Sequence, residues 1–422
     1  MALRKAGSNW VDGDKFFDRE VELEALAERV REGTHTLLTA QRRMGKTSLV
    51  RELLRRLALQ GDVDSVFVDL EDARSAEDAV AEIGSQSRRV ATAWHRLKEA
   101  FAHHLRGAGD RIDELAIADV KVKLRAGIES GNWRTRGDAT LTALAANEQP
   151  VVLAIDELPI LVNRLLKGHD YQITPERRQK ADEFLSWLRR QGQEHRGRLC
   201  LILSGSVGLE PILRQADLSA HANIFWRFEL RPWNHATAAD CLRELAETYG
   251  LIVSPEIREA ICRQLRLCIP HHVQQFFDNL HEHPRRSGRR EALPEDVLRV
   301  YSDEMLSVRG QIDLEHYETR LRMILGPVGY RVAIDLLTEA AVHAGRLTHD
   351  AITEYGEYLS CEPDIAPVAL DDVLYVLEHD GYLARERHGY QLISGLLQDW
   401  WYARHGQNFV PIGARMAQHR AE

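Results

Sequence analysis

The stretch Ala40-Gln41-Arg42-Arg43-Met44-Gly45-Lys46-Thr47 decides the fold of this 422-residue chain. It has the form of a phosphate-binding P-loop in which alanine replaces the usual first glycine. The apolar run 36–39 before it predicts a buried strand, and apolar residues at positions 49, 50, 53, 54 and 57 predict a helix after it. Because a P-loop joins a strand to a helix, the flanks support the motif.

The chemistry of such a loop follows from its backbone. Loop N–H groups and the helix N-terminus point at the phosphates. Lys46 brings a positive charge to the β- and γ-phosphates, and the Thr47 hydroxyl can ligate Mg²⁺. Ala40 departs from the pattern, and we expect strain there if the position needs a conformation that only glycine adopts easily. The candidate nucleotide-binding residues of the loop are Arg42, Arg43, Met44, Gly45, Lys46, Thr47 and Ser48.

A second candidate element is the apolar run 151–155, which ends in Asp156-Glu157. A continuous apolar run is typical of a buried parallel strand, and ligands bind beyond the carboxyl ends of such strands. Asp156 would hold Mg²⁺, directly or through water, and Glu157 would act as the general base on the attacking water. The alternative is an ordinary strand followed by an acidic helix N-cap.

A third strand, 199–203, ends in Ser204-Gly205-Ser206. A small polar residue at this tip could sense the γ-phosphate or place the water, and Ser206 is a slightly better candidate than Ser204. A plain Ser-Gly turn is the alternative.

Strands and helices alternate through the first half of the chain. Further strands are predicted at 65–70 and 225–230, and helices at 20–32 and 177–193, with a helical pattern over 76–146. This alternation predicts an α/β fold with a parallel sheet that is covered on both faces. From 234 to about 310 the pattern is helical only, with breaks at Pro270 and over 283–290.

The C-terminal part predicts a winged helix. Helices are expected at 331–344, 350–359 and 371–379, and a tight hairpin joins strands at 382–385 and 390–393. Three helices and a hairpin make that domain. Ser394 would N-cap a final helix that ends at Gly406.

Composition narrows the function classes. Apolar residues make up 44% of the chain and charged residues 28%, as in ordinary globular proteins, and the net charge of −9 gives no bulk attraction to nucleic acid or to an anionic membrane. With no apolar run of 18 residues and no apolar signal core at the N-terminus, we expect a cytoplasmic protein with no membrane partner. The cysteines at 200, 241, 262, 268 and 361 form no CxxC pair and are expected to be reduced, buried thiols. The histidine pairs 103–104 and 271–272 lack metal-site spacing.

Five segments together give a family resemblance. They are Phe16-Phe17-Asp18-Arg19-Glu20-Val21-Glu22-Leu23, Arg42-Arg43-Met44-Gly45-Lys46-Thr47-Ser48-Leu49, Ala154-Ile155-Asp156-Glu157-Leu158, Ser204-Gly205-Ser206-Val207-Gly208-Leu209 and Ile269-Pro270-His271-His272-Val273-Gln274. The chain resembles the AAA+-related P-loop ATPases often called archaeal-type ATPases. These lie near the STAND signalling ATPases and the origin-recognition ATPases.

The resemblance implies an AAA+-type ATPase domain over 1–232, a helical lid over 233–310 and a winged helix over 311–422. It implies ATP and Mg²⁺ as cofactors. Phe17 and Arg19 would lie by the adenine, and Pro270 and His271 would approach the nucleotide from the lid. The implied catalytic residues are Glu157, Lys46, Ser206 and Arg227, and the implied metal ligands are Thr47 and Asp156. Ala40 in the loop, and Cys268 with His271-His272 in the lid, depart from the family pattern, and no clear sensor-2 arginine is present.

An arginine finger would act only between assembled subunits. Arg227 is near the place where related ATPases carry one, and Arg214 is a second candidate. The favoured alternative for Arg227 is a strand arginine on a solvated face, and an oligomer stays open.

DNA is the less favoured partner of the winged helix. The helix that should enter the groove carries Asp371, Asp372 and Glu378 and no basic residue, so phosphates would repel it. The wing offers Arg385, Arg387 and His388. The arginines of the run 285–290 are a separate basic group, either a solvated loop or a contact to a phosphate backbone.

Three function classes remain. The favoured one is an ATP-binding and ATP-hydrolysing switch that relays its nucleotide state to a protein partner through the winged helix. The alternative is a DNA-associated ATPase of the origin-recognition or helicase-loader kind. The third is a nucleotide-binding scaffold with negligible hydrolysis.

Overall fold

The computed structural model describes residues 2–7, 10–101, 116–286, 288–361 and 370–420. By their packing they form two units. The sheet unit contains residues 19–39 and 46–230, and the C-terminal unit contains 1–18, 40–45 and 231–422. Some predictions fall on residues outside the described ranges: the histidine pair 103–104, part of the predicted helical stretch 76–146, and position 287 of the basic run. The boundaries of the three predicted domains stay a prediction.

The sheet unit is built on five parallel strands, as the alternating pattern predicted. They are β1 (Thr36–Thr39), β2 (Asp64–Asp69), β3 (Val151–Asp156), β4 (Leu199–Ser204) and β5 (Trp226–Glu229). The order across the sheet is β2-β3-β4-β1-β5. Every residue of β3 and β4 is buried, which explains their unbroken apolar runs. Strands β2 and β5 differ from the prediction by one residue at each end.

Nine described helices belong to the sheet unit. They are α1 (Glu20–Arg31), α2 (Lys46–Gln60), α3 (Ala76–Gln86), α4 (Ala91–Ala100), α5 (Ile117–Ala126), α6 (Trp133–Ala145), α7 (Leu158–Lys167), α8 (Pro175–Glu194) and α9 (Leu209–Arg214). Side chains of Ser75 and Thr174 cap α3 and α8. The favoured prediction placed no helix at 158–167, but α7 begins there with Pro159 in its first turn, a position that suits proline.

The C-terminal unit is mostly helical. Its described helices are α10 (His235–Tyr249), α11 (Pro255–Leu265), α12 (Pro270–Arg286), α13 (Pro294–Arg299), α14 (Val308–Val342), α15 (His349–Cys361), α16 (Leu370–His379), α17 (Gly395–Trp401) and α18 (Ile412–His419). Asn234 and Ser254 cap α10 and α11 through their side chains. The break predicted over 283–290 begins later than expected, because α12 continues through Pro284 to Arg286.

A small antiparallel sheet lies within the C-terminal unit. Its strands are β6 (Arg346–Thr348), β7 (Leu383–Glu386) and β8 (Gly389–Leu392), in the order β6-β8-β7. The hairpin β7–β8 matches the prediction, whereas β6 was missed because three residues are too few to show an alternating pattern. The predicted helix 331–344 is the second part of α14, which kinks at Gly326 before Pro327.

Two further expectations concern the whole described chain. Cys200, Cys241, Cys262 and Cys268 are free and buried, but the expectation of burial is wrong for Cys361, which is exposed at the end of α15. Within the described residues, no helix combines the length and apolar character needed to cross a bilayer.

Candidate functional site

The P-loop ends where α2 begins, at Lys46. The first N–H groups of a helix have no partner within it, so those of Lys46, Thr47 and Ser48 open α2 as potential phosphate donors. The Lys46 and Ser48 residues are both buried. Gly45 has a φ of +87°, which only glycine adopts readily.

The condition under which strain was expected at Ala40 is not met. Among the described residues of positive φ, the loop contributes Arg43, at +66°, and Gly45, but not Ala40. The loop therefore places its unusual backbone at Arg43, where a side chain makes the left-handed conformation costly.

Asp156 is the centre of the polar cluster in the sheet unit. Its Oδ2 accepts a hydrogen bond from the Thr47 hydroxyl at 2.6 Å, and its Oδ1 accepts one from the Ser204 hydroxyl at 2.7 Å. The residue is only 4% exposed, so these donors replace the water that a buried carboxylate needs. The structure brings Thr47 and Asp156 together as predicted, and adds Ser204 as a partner of the carboxylate.

Glu157 follows in a left-handed backbone conformation, with φ of +57°, at the N-cap of α7. Its Oε2 accepts hydrogen bonds from the backbone N–H of Ser206 at 2.9 Å and from the Ser206 hydroxyl at 3.0 Å. Strained backbone of this kind is concentrated at functional sites. The two serines at the β4 tip thus contact different carboxylates, Ser204 the aspartate and Ser206 the glutamate.

The glycine between these serines is required by close approach. A Cβ on Gly205 would lie 2.6 Å from Cδ of Pro159 and 3.4 Å from Oε2 of Glu157. The turn after β4 therefore packs directly on the turn after β3, and this contact fixes Ser206 beside Glu157.

Asp69 is an acidic neighbour that the sequence analysis missed. It ends β2 in register with Asp156, and the N–H of Leu70 donates to the Asp156 carbonyl at 3.0 Å. Burial raises the pKa of Asp69, and the negative charge of Asp156 acts in the same direction, against a hydrogen bond from the N–H of Glu71. The signal in the sequence was an aspartate at the end of a predicted strand, at the same sheet edge as Asp156.

Neither finger candidate joins this cluster. Arg227 lies in β5 opposite Leu37, and its guanidinium is 3.0 Å from the Glu210 carboxylate. The side chain is 60% exposed, in agreement with the solvated-face alternative. Arg214 is exposed at the end of α9.

The other candidate residues are distributed over both units. In the sheet unit, Arg19 is buried at the start of α1 and forms an ion pair with Glu22 at 2.7 Å. In the C-terminal unit, the Phe17 ring packs edge-on against Trp233 with centroids 5.5 Å apart, and Pro270 and His271 open α12.

Only part of the basic group 285–290 offers an accessible charge. Arg289 donates two hydrogen bonds to Asp296, at 2.8 and 2.9 Å, and this ion pair lowers the pKa of Asp296. At the tip of β7 and β8, in contrast, Arg385, Arg387 and His388 are exposed.

The donor set fits Mg²⁺. The Thr47 hydroxyl and an Asp156 carboxylate oxygen are hard oxygen ligands, already within 2.6 Å of each other. In the part of the chain that the structure describes, no group of three or more His, Cys, Asp or Glu side chains could hold a metal ion by itself.

Comparisons with known proteins agree with this geometry. Residues 29–213 match the model of the AAA domain family. The chain is similar in structure to a Walker-type ATPase of Pyrococcus abyssi, with a TM-score of 0.59 and 17% identity over 94% of this chain and 98% of that one. It is also similar to the ORC2 protein of Aeropyrum pernix in its ADPNP–ADP complexes, with a TM-score of 0.57 and 16% identity over 96% and 98% of the two chains. A search of the curated proteins found no match.

These likenesses establish the fold. The sheet order, the loop before α2 and the acidic end of β3 are those of an AAA+ P-loop fold.

Proposed function

We propose that the chain is an ATP-binding, Mg²⁺-dependent and slowly ATP-hydrolysing switch, which relays its nucleotide state to a protein partner through a C-terminal winged helix. The observation that carries the proposal is the cluster in which Thr47 and Ser204 hold Asp156 while Ser206 holds Glu157. The structural similarity to the Walker-type ATPase of Pyrococcus abyssi supports the same proposal.

In this proposal each side chain has one task. Lys46 and the first N–H groups of α2 bind the phosphates, and Thr47 with Asp156 would hold Mg²⁺, which neutralises phosphate charge when bound. Glu157 takes a proton from the water that attacks the γ-phosphorus, so the bond from that phosphorus to the bridging oxygen breaks and ADP leaves. Ser206 positions the Glu157 carboxylate through its N–H and hydroxyl.

The remaining assignments belong to the same proposal. Phe17 and Arg19 would contact the adenine, and Arg42, Arg43, Met44, Gly45 and Ser48 would line the phosphates, with Pro270 and His271 approaching from the lid. Arg227, or Arg214, would serve as a finger only in an oligomer, and Arg227 would then have to leave Glu210. A turnover rate per chain that rises with protein concentration, and no longer rises in Arg227→Ala, would support that role.

The winged helix of this proposal consists of the second part of α14 with α15, α16 and the sheet β6-β8-β7. On α16, Asp371 is exposed, and Asp372 and Glu378 are half-buried. A helix with acidic groups at its surface is repelled by DNA phosphates, which favours a protein partner.

The exposed arginines of the β7–β8 tip favour the second candidate, a DNA-associated ATPase of the origin-recognition kind. Turnover with and without duplex DNA separates the two. Stimulation by DNA, with binding that weakens steeply as salt rises, would support the DNA-associated function.

The central test is nucleotide binding and turnover by the Lys46→Ala protein. Since Lys46 meets phosphate in the ground state, we expect Lys46→Ala to lose most of its ATP affinity. In the wild type, we expect turnover to vanish in excess chelator, because the proposed reaction needs Mg²⁺. Lys180→Ala, at an exposed lysine of α8, is the matched control and should bind as the wild type does. Equal affinity of the two variants would refute the site, and binding without turnover in the wild type would favour the scaffold class.

A further inference from the structure

Residues 40–45 of the P-loop pack with the C-terminal unit, although the strand and the helix that flank them belong to the sheet unit. Tyr317 of α14 makes the defining contact. Its hydroxyl donates a hydrogen bond to the backbone carbonyl of Arg42 at 3.3 Å, and the residue is only 1% exposed. A buried tyrosine hydroxyl that ends on a loop carbonyl fixes the orientation of one loop peptide.

A second tyrosine supports the first. The Tyr382 hydroxyl donates to the backbone carbonyl of Tyr317 at 2.9 Å, and the two rings meet edge-on with centroids 5.8 Å apart. Burial raises the pKa of Tyr382 well above its usual value, so its hydroxyl keeps the proton that it donates. The position of Tyr317 is therefore set from the start of β7.

The turn before Tyr382 also reaches the loop. Gly381 has a φ of +75°, and a Cβ there would lie 2.9 Å from Cγ of Gln41. Gln41 is buried, so its side chain has little room to yield. The turn between α16 and β7 thus fits closely against the P-loop.

The contact at Arg42 has a consequence for the neighbouring N–H group. In a trans peptide the carbonyl of Arg42 and the N–H of Arg43 point in opposite directions, so holding the carbonyl toward Tyr317 turns that N–H away from it. Arg43 also has a φ of +66°, which only surrounding contacts can maintain in a residue other than glycine. Tyr317 therefore acts on the peptide whose conformation most needs support.

The same helix brings a positive charge toward the loop. Arg320 lies one turn after Tyr317 on α14. Burial lowers the pKa of Arg42, and the charges of Arg320 and Arg43 act in the same direction. The helix α14 thus fixes the orientation of one loop peptide and adds positive potential beside the loop, and anion-binding loops use positive potential together with oriented N–H groups.

We propose that Tyr317, supported by Tyr382 and Gly381, is a positioning residue that holds the P-loop in its nucleotide-binding conformation, so that the C-terminal unit sets nucleotide affinity. The inference rests on the proposed function, because it needs a nucleotide at this loop. By thermodynamic linkage, a partner that loosens this contact on the C-terminal unit lowers nucleotide affinity, and nucleotide weakens that partner by the same factor.

The test is the full-length Tyr317→Phe protein, which loses one hydroxyl and keeps the ring. With ADP and with a non-hydrolysable ATP analogue as probes, we expect the Kd measured by calorimetry to rise about three- to tenfold, the loss of one hydrogen bond. The kcat at saturating ATP and the Tm should stay near wild-type values, which separates positioning of the loop from general damage to the fold.

Tyr355→Phe is the matched control. Tyr355 is as buried as Tyr317 and lies in the same unit. Its hydroxyl lies 3.3 Å from two acceptors outside the loop, the Asp335 carbonyl and a Glu339 carboxylate oxygen. Its Kd should equal that of the wild type. Tyr382→Phe removes the hydroxyl that supports Tyr317, and the Kd of this protein should also rise. Tyr317→Phe and Tyr382→Phe are called the two loop-side variants below.

The outcomes distinguish the two proposals. Wild-type Kd values in both loop-side variants, with binding lost in Lys46→Ala, would overturn the role of Tyr317 and leave the proposed function standing. A parallel rise of Kd in Tyr355→Phe would assign the effect to the fold and would likewise overturn it. Absence of nucleotide binding by the wild type would overturn both proposals.

Discussion

The Glu157→Gln substitution tests the chemical step without disturbing the ground state. In the structure, Oε2 of Glu157 accepts two hydrogen bonds from Ser206, one from its N–H and one from its hydroxyl. A glutamine side-chain oxygen can accept both. The turn that holds residue 157 should therefore survive, and nucleotide binding should stay close to that of the wild type.

The cost should appear in turnover alone, because a neutral amide cannot take the proton of the attacking water. General-base catalysis contributes about 10²- to 10⁴-fold, so kcat should fall by that factor. This corresponds to about 3–5 kcal/mol of lost transition-state stabilisation.

The assay compares phosphate release at saturating ATP with the Kd for ATP of the same preparation. Glu183→Gln is the control, since Glu183 is a carboxylate of the same unit that forms an ion pair with Arg134 on the helix surface. A kcat of Glu157→Gln within about threefold of the wild type would refute the assignment of the base, because that loss is smaller than general-base catalysis supplies.

Two further predictions concern the turn after β4 and an ion pair of the C-terminal unit. Gly205→Ala should lower both turnover and Tm, because its Cβ would lie 2.6 Å from Pro159, whereas Gly131→Ala, where no atom lies within 4 Å, should have little effect on either. Asp296→Asn should lower the free energy of unfolding at neutral pH, measured by urea titration, since Arg289 holds the pKa of Asp296 below its usual value. A lowered carboxyl pKa stabilises fully above the unfolded pKa of about 4, and this stabilisation is lost as the pH falls through the lower pKa of the folded state. The stability difference from the wild type should therefore shrink as the pH falls, and a difference that stays constant from neutral pH down to pH 2 would contradict this reasoning.

The sheet unit was largely predictable because its strands and most of its helices can be recognised from short stretches of sequence. An apolar run ending in Asp156-Glu157 predicts both a buried strand and its acidic tip, and parallel strands bring such tips to one edge. The prediction weakened where chemistry depends on contacts between strands. It favoured Ser206 over Ser204, but each hydroxyl binds a carboxylate, and the sequence does not show which way successive residues of a turn point.

Local rules also failed where a residue type has two structural uses. No helix was predicted at 158–167, although proline suits the first turn of a helix, where its missing N–H has no role, and Pro159 lies in that turn of α7. Ala40 was expected to carry strain because glycine is usual there, yet the left-handed positions fell at Arg43 and Gly45. The residue type that is usual at a motif position does not show which position has the unusual backbone conformation, and strain depends on the conformation.

The contact between Tyr317 and Arg42 could not be predicted from sequence, because it joins residues 275 positions apart and Tyr317 looks like an ordinary core tyrosine. Its consequence reaches beyond one hydrogen bond. If the backbone of residues 40–45 depends on donors beyond residue 310, a chain cut at that point keeps Lys46, Asp156 and Glu157 and still lacks the groups that hold its loop. Weak nucleotide binding by such a fragment would then reflect the missing tyrosines rather than a defective P-loop. Point substitutions in the full chain are therefore the sound test of both the site and its control.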